Sequence, residues 1–241
     1  MKEDKYMKLA IMQPYLFPYI GYFSLIRNTD FFVFFDTPQY IRKGWINRNR
    51  ILGANGGITY FIVPIQKADR NTPINKTNIS YNSDWKRKIL GQLNIYRKAP
   101  NYNKIINLVE DVFSIDTVRI SDLAIRSIVK TCEYVGIDMK YDIFSKMNLT
   151  LPQVKEADEW ALYITKELGY STYVNPPGGM SFFNREKYQK KDIDLQFLLQ
   201  EIVPYRQNGK GFIPALSIID IMMFCSCSEI YEMLGKYKIE R

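Results

Sequence analysis

The first forty residues carry the pattern that most restricts the fold of this chain. A short apolar run at 8–12 closes on Gln13-Pro14, where proline ends any β ladder. Residues 19–28 then place apolar side chains at helical spacing, and the apolar run DFFVFFD follows at 30–36. A strand, a helix and a second strand in this order predict a β-α-β unit with two parallel, adjacent strands in a sheet buried on both faces.

The rest of the chain continues the α/β alternation around a helical middle. Runs at 47–52 and 58–65 flank GANGG, which predicts an antiparallel hairpin. The other predicted elements are helices at 84–97, 102–113, 118–135 and about 155–168, strands near 140–145, at 172–176 and near 193–199, and one or two helices over 216–234. We therefore predict a Rossmann-like three-layer α/β core with parallel strands, an antiparallel hairpin and a helical insertion or cap.

We expect one domain over residues 1–241, because no linker, repeat or low-complexity tract interrupts the chain. Within it, 1–80 would hold the β-α-β unit and the hairpin, and 81–138 the helical insertion. Residues 139–241 would hold the remaining α/β elements and the C-terminal helices.

Composition excludes several kinds of active site. The chain contains no histidine, so it cannot build a Ser-His-Asp triad, a Cys-His pair or an imidazole zinc site. Its three cysteines, Cys132, Cys225 and Cys227, fit a reducing compartment and supply no fourth ligand by spacing, so we predict no metal site. Proton transfer would have to use Asp, Glu, Lys, Tyr or Cys.

A net charge of +8 predicts attraction to an anionic partner, which could be nucleic acid, a nucleotide-linked substrate or a membrane surface. No apolar run approaches the ~18 to 20 residues of a membrane span. The N-terminal stretch MKEDKYMKLA also lacks the apolar region of a signal peptide. We therefore expect a cytoplasmic protein without membrane insertion.

Candidate site residues follow the first two predicted strands. In parallel sheets, ligands bind beyond the carboxyl ends of the strands. Gln13 ends the first strand and Asp36 the second, so both are candidate catalytic residues, although Asp36 could instead cap a turn. The aromatic turn between the strands could line a ligand site or simply pack in the core. Its candidate substrate-binding residues are Tyr15, Tyr19, Gly21 and Tyr22.

The densest basic and aromatic cluster lies just beyond the second strand. Guanidinium groups bind phosphates bidentately, and a Trp ring can stack on a base or a sugar. Strand alternation places Arg48 and Arg50 on one face and Asn47 and Asn49 on the other, although a solvated edge hairpin would show the same charges. The candidate phosphate-binding residues are Arg42, Lys43, Arg48 and Arg50, and the candidate substrate-binding residues are Gln39, Tyr40, Trp45, Asn47 and Asn49.

Two later segments also carry candidate residues. The stretch YVNPPGG ends a strand at Asn175, and Gly178 and Gly179 allow close backbone approach to a ligand or form a tight structural turn. Asp220 lies in the apolar helix LSIIDIMMF, where a buried carboxylate needs a partner. We expect that partner to be an Arg or a Lys.

Several of these segments together resemble the WbqC-like protein family. They are KLAIMQPYLFPYIGYFSLI, FFDTPQY, WINRNRI, YRKAPNY, NPPGG and FIPALSIIDIMMF, which occur in this order over nearly the whole chain. The resemblance implies a bacterial protein associated with surface-polysaccharide and amino-sugar biosynthesis, including O-antigen and lipopolysaccharide.

A local similarity over about thirty residues links YIGYFSLIRNTDFFVFFDTPQY to pantothenate synthetases and related nucleotidylyl transferases. Tyr19 and Tyr22 stand where the histidines of the His-x-Gly-His motif would be, Gly21 keeps the glycine, and Thr37-Pro38 replaces Asn-Pro. The similarity implies a nucleotide phosphate at the helix start. Tyrosine cannot supply a cation, so that role would pass to the basic cluster.

The resemblances imply an enzyme that transfers an acyl or aminoacyl group, such as glycyl, onto a nucleotide-linked amino sugar. The donor could be an acyl-adenylate, which implies ATP with Mg²⁺, or an aminoacyl-tRNA. Asp36 would be the base or orient the amine, with Gln13, Tyr15 and Asn47 positioning the substrate. One alternative is a nucleic-acid- or nucleotide-binding protein without catalysis. A glycosyltransferase is disfavoured because Asp192 and Asp194 precede a strand, whereas metal-binding pairs normally follow one.

Overall fold

A computed structural model describes residues 7–209 and 211–241. Its first elements are β1 (Lys8–Met12), α1 (Ile20–Arg27) and β2 (Phe31–Phe34). The two strands are parallel neighbours in a register that pairs Leu9 with Phe31. The predicted β-α-β unit is therefore confirmed.

The predicted hairpin forms a separate two-stranded antiparallel sheet. Its strands are β3 (Arg48–Leu52) and β4 (Ile58–Ile62). Gly56 takes a left-handed conformation in the turn, with φ of +75°, which glycine adopts without steric cost. The second strand is shorter than predicted and ends before Pro64, which has no N–H for a ladder.

The middle of the chain is helical, as predicted. Its helices are α2 (Trp85–Leu93), α3 (Tyr102–Phe113) and α4 (Ile120–Val135). The Asp84 side chain caps α2 by accepting the Arg87 N–H at 3.1 Å. α4 ends at Gly136 in the left-handed conformation, with φ of +85°. α2 is shorter than predicted because residues 94–96 tighten into a 3₁₀ turn.

The second half of the chain completes the sheet. It contains β5 (Tyr141–Ile143), α5 (Glu159–Glu167), β6 (Thr172–Asn175), α6 (Arg185–Gln189), β7 (Asp194–Gln200), α7 (Ile218–Phe224), α8 (Cys227–Met233) and β8 (Tyr237–Glu240). The strand order is β5-β2-β1-β6-β7-β8, with β8 antiparallel to its neighbour and the other strands parallel. The elements α6 and β8 were not predicted, because one has only five residues and the other is a short edge strand with alternating charges.

Alternate residues of the sheet enter two hydrophobic clusters. Leu9 and Ile11 of β1 pack in the cluster that contains Leu162 of α5. Ala10, between them, packs in the opposite cluster, which contains residues of α1, the hairpin and the middle helices. The sheet thus has helices on both faces, and the predicted α/β fold class is confirmed.

A helix that spans a membrane needs about 20 mostly apolar residues. The longest described helix, α4, has 16 residues. Across 7–209 and 211–241, no helix is both long and apolar enough to cross a bilayer. The expectation of no signal peptide rests partly on residues 1–6, which lie outside the described residues.

The turn between β1 and α1 is held by buried hydrogen bonds from distant elements. Phe17 is fully buried and left-handed, with φ of 42°, which is strained for a bulky residue. Its N–H donates to Ser127 Oγ at 3.0 Å, and its carbonyl accepts Asn49 Nδ2 at 2.9 Å and Ser217 Oγ at 2.7 Å. The Asn49 amide also donates to the Leu16 carbonyl at 3.1 Å. The aromatic turn is therefore fixed by the hairpin, α4 and the start of α7.

We expect Asn49→Ala to lower the free energy of unfolding by about 1–3 kcal/mol, because two buried carbonyls would lose a donor. Asn82→Ala, at an exposed position without a side-chain hydrogen bond within the described chain, is the matched control and should change stability by less than ~0.5 kcal/mol. Urea unfolding of both variants measures the difference. Equal stability of the two variants would show that the amide does not hold the turn.

Candidate functional site

A cleft of about 650 Å³ lies at the carboxyl edge of β1, β2 and β6. β1 is central, with β2 on one side and β6 on the other, and ligands of parallel α/β sheets bind where the strand order reverses in this way. The lining residues are Ile11, Met12, Gln13, Tyr15, Pro18, Tyr19, Gly21, Tyr22, Phe35, Ile41, Trp45, Asn49, Arg50, Asn175, Pro176, Pro177, Gly178, Gly179, Phe182 and Ala215. The cleft thus brings together most of the predicted site residues.

Three tyrosines of the aromatic turn form one wall of the cleft. The Tyr15 and Tyr22 rings lie 5.8 Å apart, and the buried Tyr22 hydroxyl donates to the Gln13 carbonyl at 2.9 Å. The Tyr19 side chain is partly exposed and has no hydrogen bond within the described chain. Burial raises the pKa of Tyr15, Tyr19 and Tyr22, so their hydroxyls stay neutral.

Gly21 makes room for a protein ring at the start of α1. A Cβ at this position would lie 2.5 Å from Tyr19 Cζ, so only glycine lets the ring fold over the helix start. The sequence analysis predicted that a ligand would occupy this space. The structure fills much of it with Tyr19, which then forms part of the cleft wall.

Arg50 is the charged residue of the cleft lining. Its Nη2 donates to the Ala215 carbonyl at 2.7 Å, and its guanidinium carbon lies 5.3 Å from the Trp45 ring centroid. Its Nε is buried without a partner in the part of the chain that the structure describes. Buried donors are rarely left unpaired, so this group is a candidate for ligand contact.

The segment after β6 forms the opposite wall. Asn175 accepts the Tyr173 hydroxyl at 2.8 Å and donates to the Pro176 carbonyl at 2.9 Å, so its amide holds the wall in place. A Cβ on Gly179 would lie 2.8 Å from the Phe183 ring, which explains the glycine there. Phe182 is 55% exposed at the rim, where a ligand could stack on it.

Three predicted site residues instead line a second cavity of about 820 Å³, formed by residues 39–42, 65–70 and 72. They are Gln39, Tyr40 and Arg42. Sequence reasoning missed Lys67 and Arg70, which line the same cavity, and its only signal was the charged run KADR after the hairpin. It also missed Phe182 and Ala215 of the first cleft.

Two predicted asparagines support the cleft from behind. Asn47 donates to the Val63 carbonyl at 2.7 Å and accepts the Tyr40 hydroxyl at 2.8 Å. Asn49 borders the cleft, but its amide is bound to the aromatic turn. The predicted alternation is therefore seen, with both asparagines buried and Arg48 and Arg50 on the more exposed face.

The predicted base and two predicted phosphate ligands lie outside both cavity linings. Asp36 is 2% exposed and accepts the Ser145 N–H at 3.0 Å and the Ser145 hydroxyl at 2.6 Å. Arg48 donates to the carbonyls of Gly44 and Lys43 and stacks on Tyr60, 4.6 Å from the ring centroid. Within residues 7–209 and 211–241, no group of three His, Cys, Asp or Glu gathers that could hold a metal ion.

The expected pairing of Asp220 with a cation is wrong. Its carboxylate accepts the Tyr96 hydroxyl at 2.6 Å, the Tyr205 hydroxyl at 2.5 Å and Gln207 Nε2 at 2.8 Å. Gln207 also binds both backbone groups of Ile213. Neutral donors therefore satisfy the buried acid and fix the segment that leads to Ala215 at the cleft.

We expect Tyr22→Phe to lower the free energy of unfolding by about 0.5–1.5 kcal/mol, because the Gln13 carbonyl loses its donor. Tyr19→Phe should leave stability within ~0.5 kcal/mol, because this hydroxyl has no partner within the described chain, and should weaken the binding of a ligand in the cleft that Tyr19 lines. Thermal unfolding and calorimetric titration measure the two quantities. Lost stability with unchanged affinity in both variants would mean that the tyrosines only pack.

Asp220 should make stability depend on pH. Desolvation raises the pKa of this carboxyl in the folded protein above its usual 3.8, although the three hydrogen bonds favour the charged form. Between pH 3.8 and the raised value, the native state binds more protons than the unfolded state, so this group lowers stability as pH rises.

Asp220→Asn removes that titration. The stability advantage of the wild type over Asp220→Asn should therefore be largest below pH 3.8 and shrink as the pH rises towards neutral. Urea unfolding of both proteins at several pH values from about 3.5 to about 7 measures this advantage. An advantage that grows with pH would contradict the assigned direction.

Comparisons with known proteins agree with the extent of the fold. The model of the WbqC-like protein family matches residues 13–232. The chain is similar to "Uncharacterized protein Rv1507c" of Mycobacterium tuberculosis (strain ATCC 25618 / H37Rv), with 27% identity over 219 residues, which cover 89% of this chain and 92% of that protein. No solved structure matches significantly. This match covers most of the chain, including both cleft walls and the second cavity. The chain therefore belongs to the WbqC-like protein family.

Proposed function

We propose that this protein transfers an acyl or aminoacyl group, such as glycyl, onto the amine of a nucleotide-linked amino sugar in bacterial surface-polysaccharide biosynthesis. One observation carries the proposal. The described lining of the cleft pairs aromatic walls with a single cation, Arg50, and contains no carboxylate. N-acyl transfer requires a neutral amine, a polarised acyl carbonyl and room to hold both, and these features favour each requirement.

The cleft favours the neutral form of a bound amine. The positive charge of Arg50 disfavours an ammonium ion beside it, because like charges repel. A carboxylate beside the amine would have the opposite effect, because it would stabilise the ammonium. The absence of an acid from the described lining therefore suits an amine nucleophile, which must lose its proton before it attacks.

The same residues can stabilise the charge that develops on the acyl oxygen. The hydroxyl of Tyr19 stays protonated because burial raises its pKa, and the Arg50 guanidinium is always charged. Fixed donors of this kind stabilise an oxyanion in a site from which water is largely excluded. Gln13, which follows β1 directly, can orient either the amine or the carbonyl.

The reaction uses a donor that is already activated. The amine nitrogen forms a bond to the acyl carbon, and the tetrahedral intermediate then releases the leaving group with the electron pair of the broken C–O or C–S bond. The amine proton passes to the leaving group. An acyl-adenylate, made with ATP and Mg²⁺, or an aminoacyl-tRNA ester would each serve as the donor.

In this proposal Asp36 has a supporting role. Its carboxylate is bound to Ser145 behind the rim of the sheet and does not line the cleft. It ties β2 to the 3₁₀ turn after β5, and so holds the rim on which the cleft is built. Asp36 therefore does not take the amine proton, which passes to the leaving group.

A direct test incubates the purified protein with a panel of nucleotide-linked amino sugars and three glycyl donors. These donors are glycine with ATP and Mg²⁺, a glycyl thioester and glycyl-tRNA. Mass spectrometry should detect an amide product with at least one pair. The absence of product with every pair would overturn the proposal.

Arg50→Gln should lower kcat/KM for amide formation by about 10²-fold, because a charged donor to the oxyanion is lost. Arg87→Gln, at an exposed position on α2, removes the same charge away from the cleft and should leave kcat/KM unchanged. Melting temperatures of both variants control for the lost hydrogen bond to Ala215. Full activity of a folded Arg50→Gln protein would remove Arg50 from the mechanism.

A further inference from the structure

The second cavity adjoins the cleft and has a different chemical character. It measures about 820 Å³ and lies between the loop after β2 and the segment after β4. We propose that it binds the diphosphate of a nucleoside diphosphate, while the cleft holds the attached sugar; this rests on the proposed function for the identity of the whole substrate. The residues that bind the diphosphate are Arg42, Lys67 and Arg70.

Hydrogen bonds to backbone carbonyls hold together the two segments that line this second cavity, called the basin below. Gln39 Nε2 donates to the Arg70 carbonyl at 2.6 Å, and the Tyr40 N–H donates to the Thr72 carbonyl at 2.9 Å. The Ile74 N–H donates to the Pro38 carbonyl at 2.9 Å. The basin is therefore built before a ligand arrives, and its cationic side chains take no part in holding it together.

The charges of the basin lack partners. Arg42, Lys67 and Arg70 are exposed, and within 7–209 and 211–241 their side chains form neither a salt bridge nor a hydrogen bond. Asp69 is the one acid among the residues that line the basin. Three unpaired cations against one acid create a positive potential that attracts a multivalent anion. A diphosphate can accept bidentate hydrogen bonds from arginine and a point charge from lysine.

The two cavities share Ile41, which lines both and is 61% exposed. A single ligand that occupies both cavities would therefore cross this side chain. A nucleotide-linked sugar has the matching order of parts, because its diphosphate lies next to its sugar. The polar, cationic basin suits the diphosphate, and the aromatic cleft suits the sugar ring and its amine.

The arginines near the two cavities differ in whether their side chains are already bound within the protein. Arg48 is bound to carbonyls of the loop before the hairpin, whereas the cations of the basin are free to meet an anion. Lys67 and Arg70 follow β4, more than thirty residues beyond the aromatic turn, so no local motif connects them with the cleft. The folded loops bring them beside it.

Calorimetric titration with UDP as the probe tests the assignment without any turnover. The wild type should bind UDP, inorganic pyrophosphate should compete with it, and uridine should compete far less. Lys67→Gln combined with Arg70→Gln should weaken UDP binding at least about ten-fold, because charge-assisted hydrogen bonds are lost. Lys236→Gln combined with Lys238→Gln, at exposed positions near the far edge of the sheet, removes the same charge as a matched control and should bind as the wild type does.

Four results of the binding experiments would overturn the inference. The first is no binding of UDP, ADP, GDP or CDP by the wild type, and the second is equal affinity of the folded double variant and the wild type. The third is competition by uridine as strong as that by pyrophosphate. The fourth is tighter binding of a single-stranded oligonucleotide than of UDP with the same dependence on Lys67 and Arg70, which would assign the basin to nucleic acid.

The binding result separates this inference from the proposed reaction. UDP binding that depends on Lys67 and Arg70, without an amide product from any donor, would keep the basin and reject acyl transfer. Amide formation with unchanged KM for the nucleotide-linked sugar in the double variant would keep acyl transfer and reject the basin.

Discussion

The left-handed turn at Phe17 joins parts of the chain that are far apart in sequence. Its backbone groups bind Asn49, Ser127 and Ser217, at separations of 32, 110 and 200 residues. Left-handed backbone in a bulky residue costs about 1–3 kcal/mol, and it persists only where surrounding bonds fix it. These bonds orient the turn so that Tyr15 and Tyr19 face the cleft. The hairpin, α4 and α7 must all be in place before this wall of the cleft exists.

Two further residues with left-handed backbone determine where the two arginine side chains of β3 lie. Ala215 and Lys43 have φ of 54° and 59°, and the carbonyl of each accepts a hydrogen bond from an arginine. Ala215 belongs to the segment held by Asp220, and it keeps Arg50 at the cleft. Lys43 belongs to the loop before the hairpin, and it draws Arg48 away. Strand alternation places both side chains on one face, but these carbonyls separate their roles.

Sequence reasoning predicted the structure correctly where it depends on residues that are neighbours in the chain. The bounds of β1, the parallel pairing with β2 and the hairpin around GANGG follow from apolar periodicity and turn residues. The place of Gln13 at the cleft follows from the end of β1, whereas Asp36, expected beside it at the end of β2, lies outside the cleft lining. Contacts between distant residues were beyond this reasoning. The partners of Asp220 are hydroxyls and an amide that no spacing reveals, and Lys67 reaches the site only because two loops pair.

The position of Tyr19 supports the proposed division of the substrate between two cavities. A glycine at a helix start can leave the first N–H groups of the helix open to a phosphate. Here the Tyr19 ring lies where a Cβ of Gly21 would be, which leaves little room for a phosphate at the N–H groups of α1. Anionic groups are therefore better placed on the free cations of the basin. The cleft, whose described lining contains no carboxylate, then suits the neutral amine of the proposed reaction.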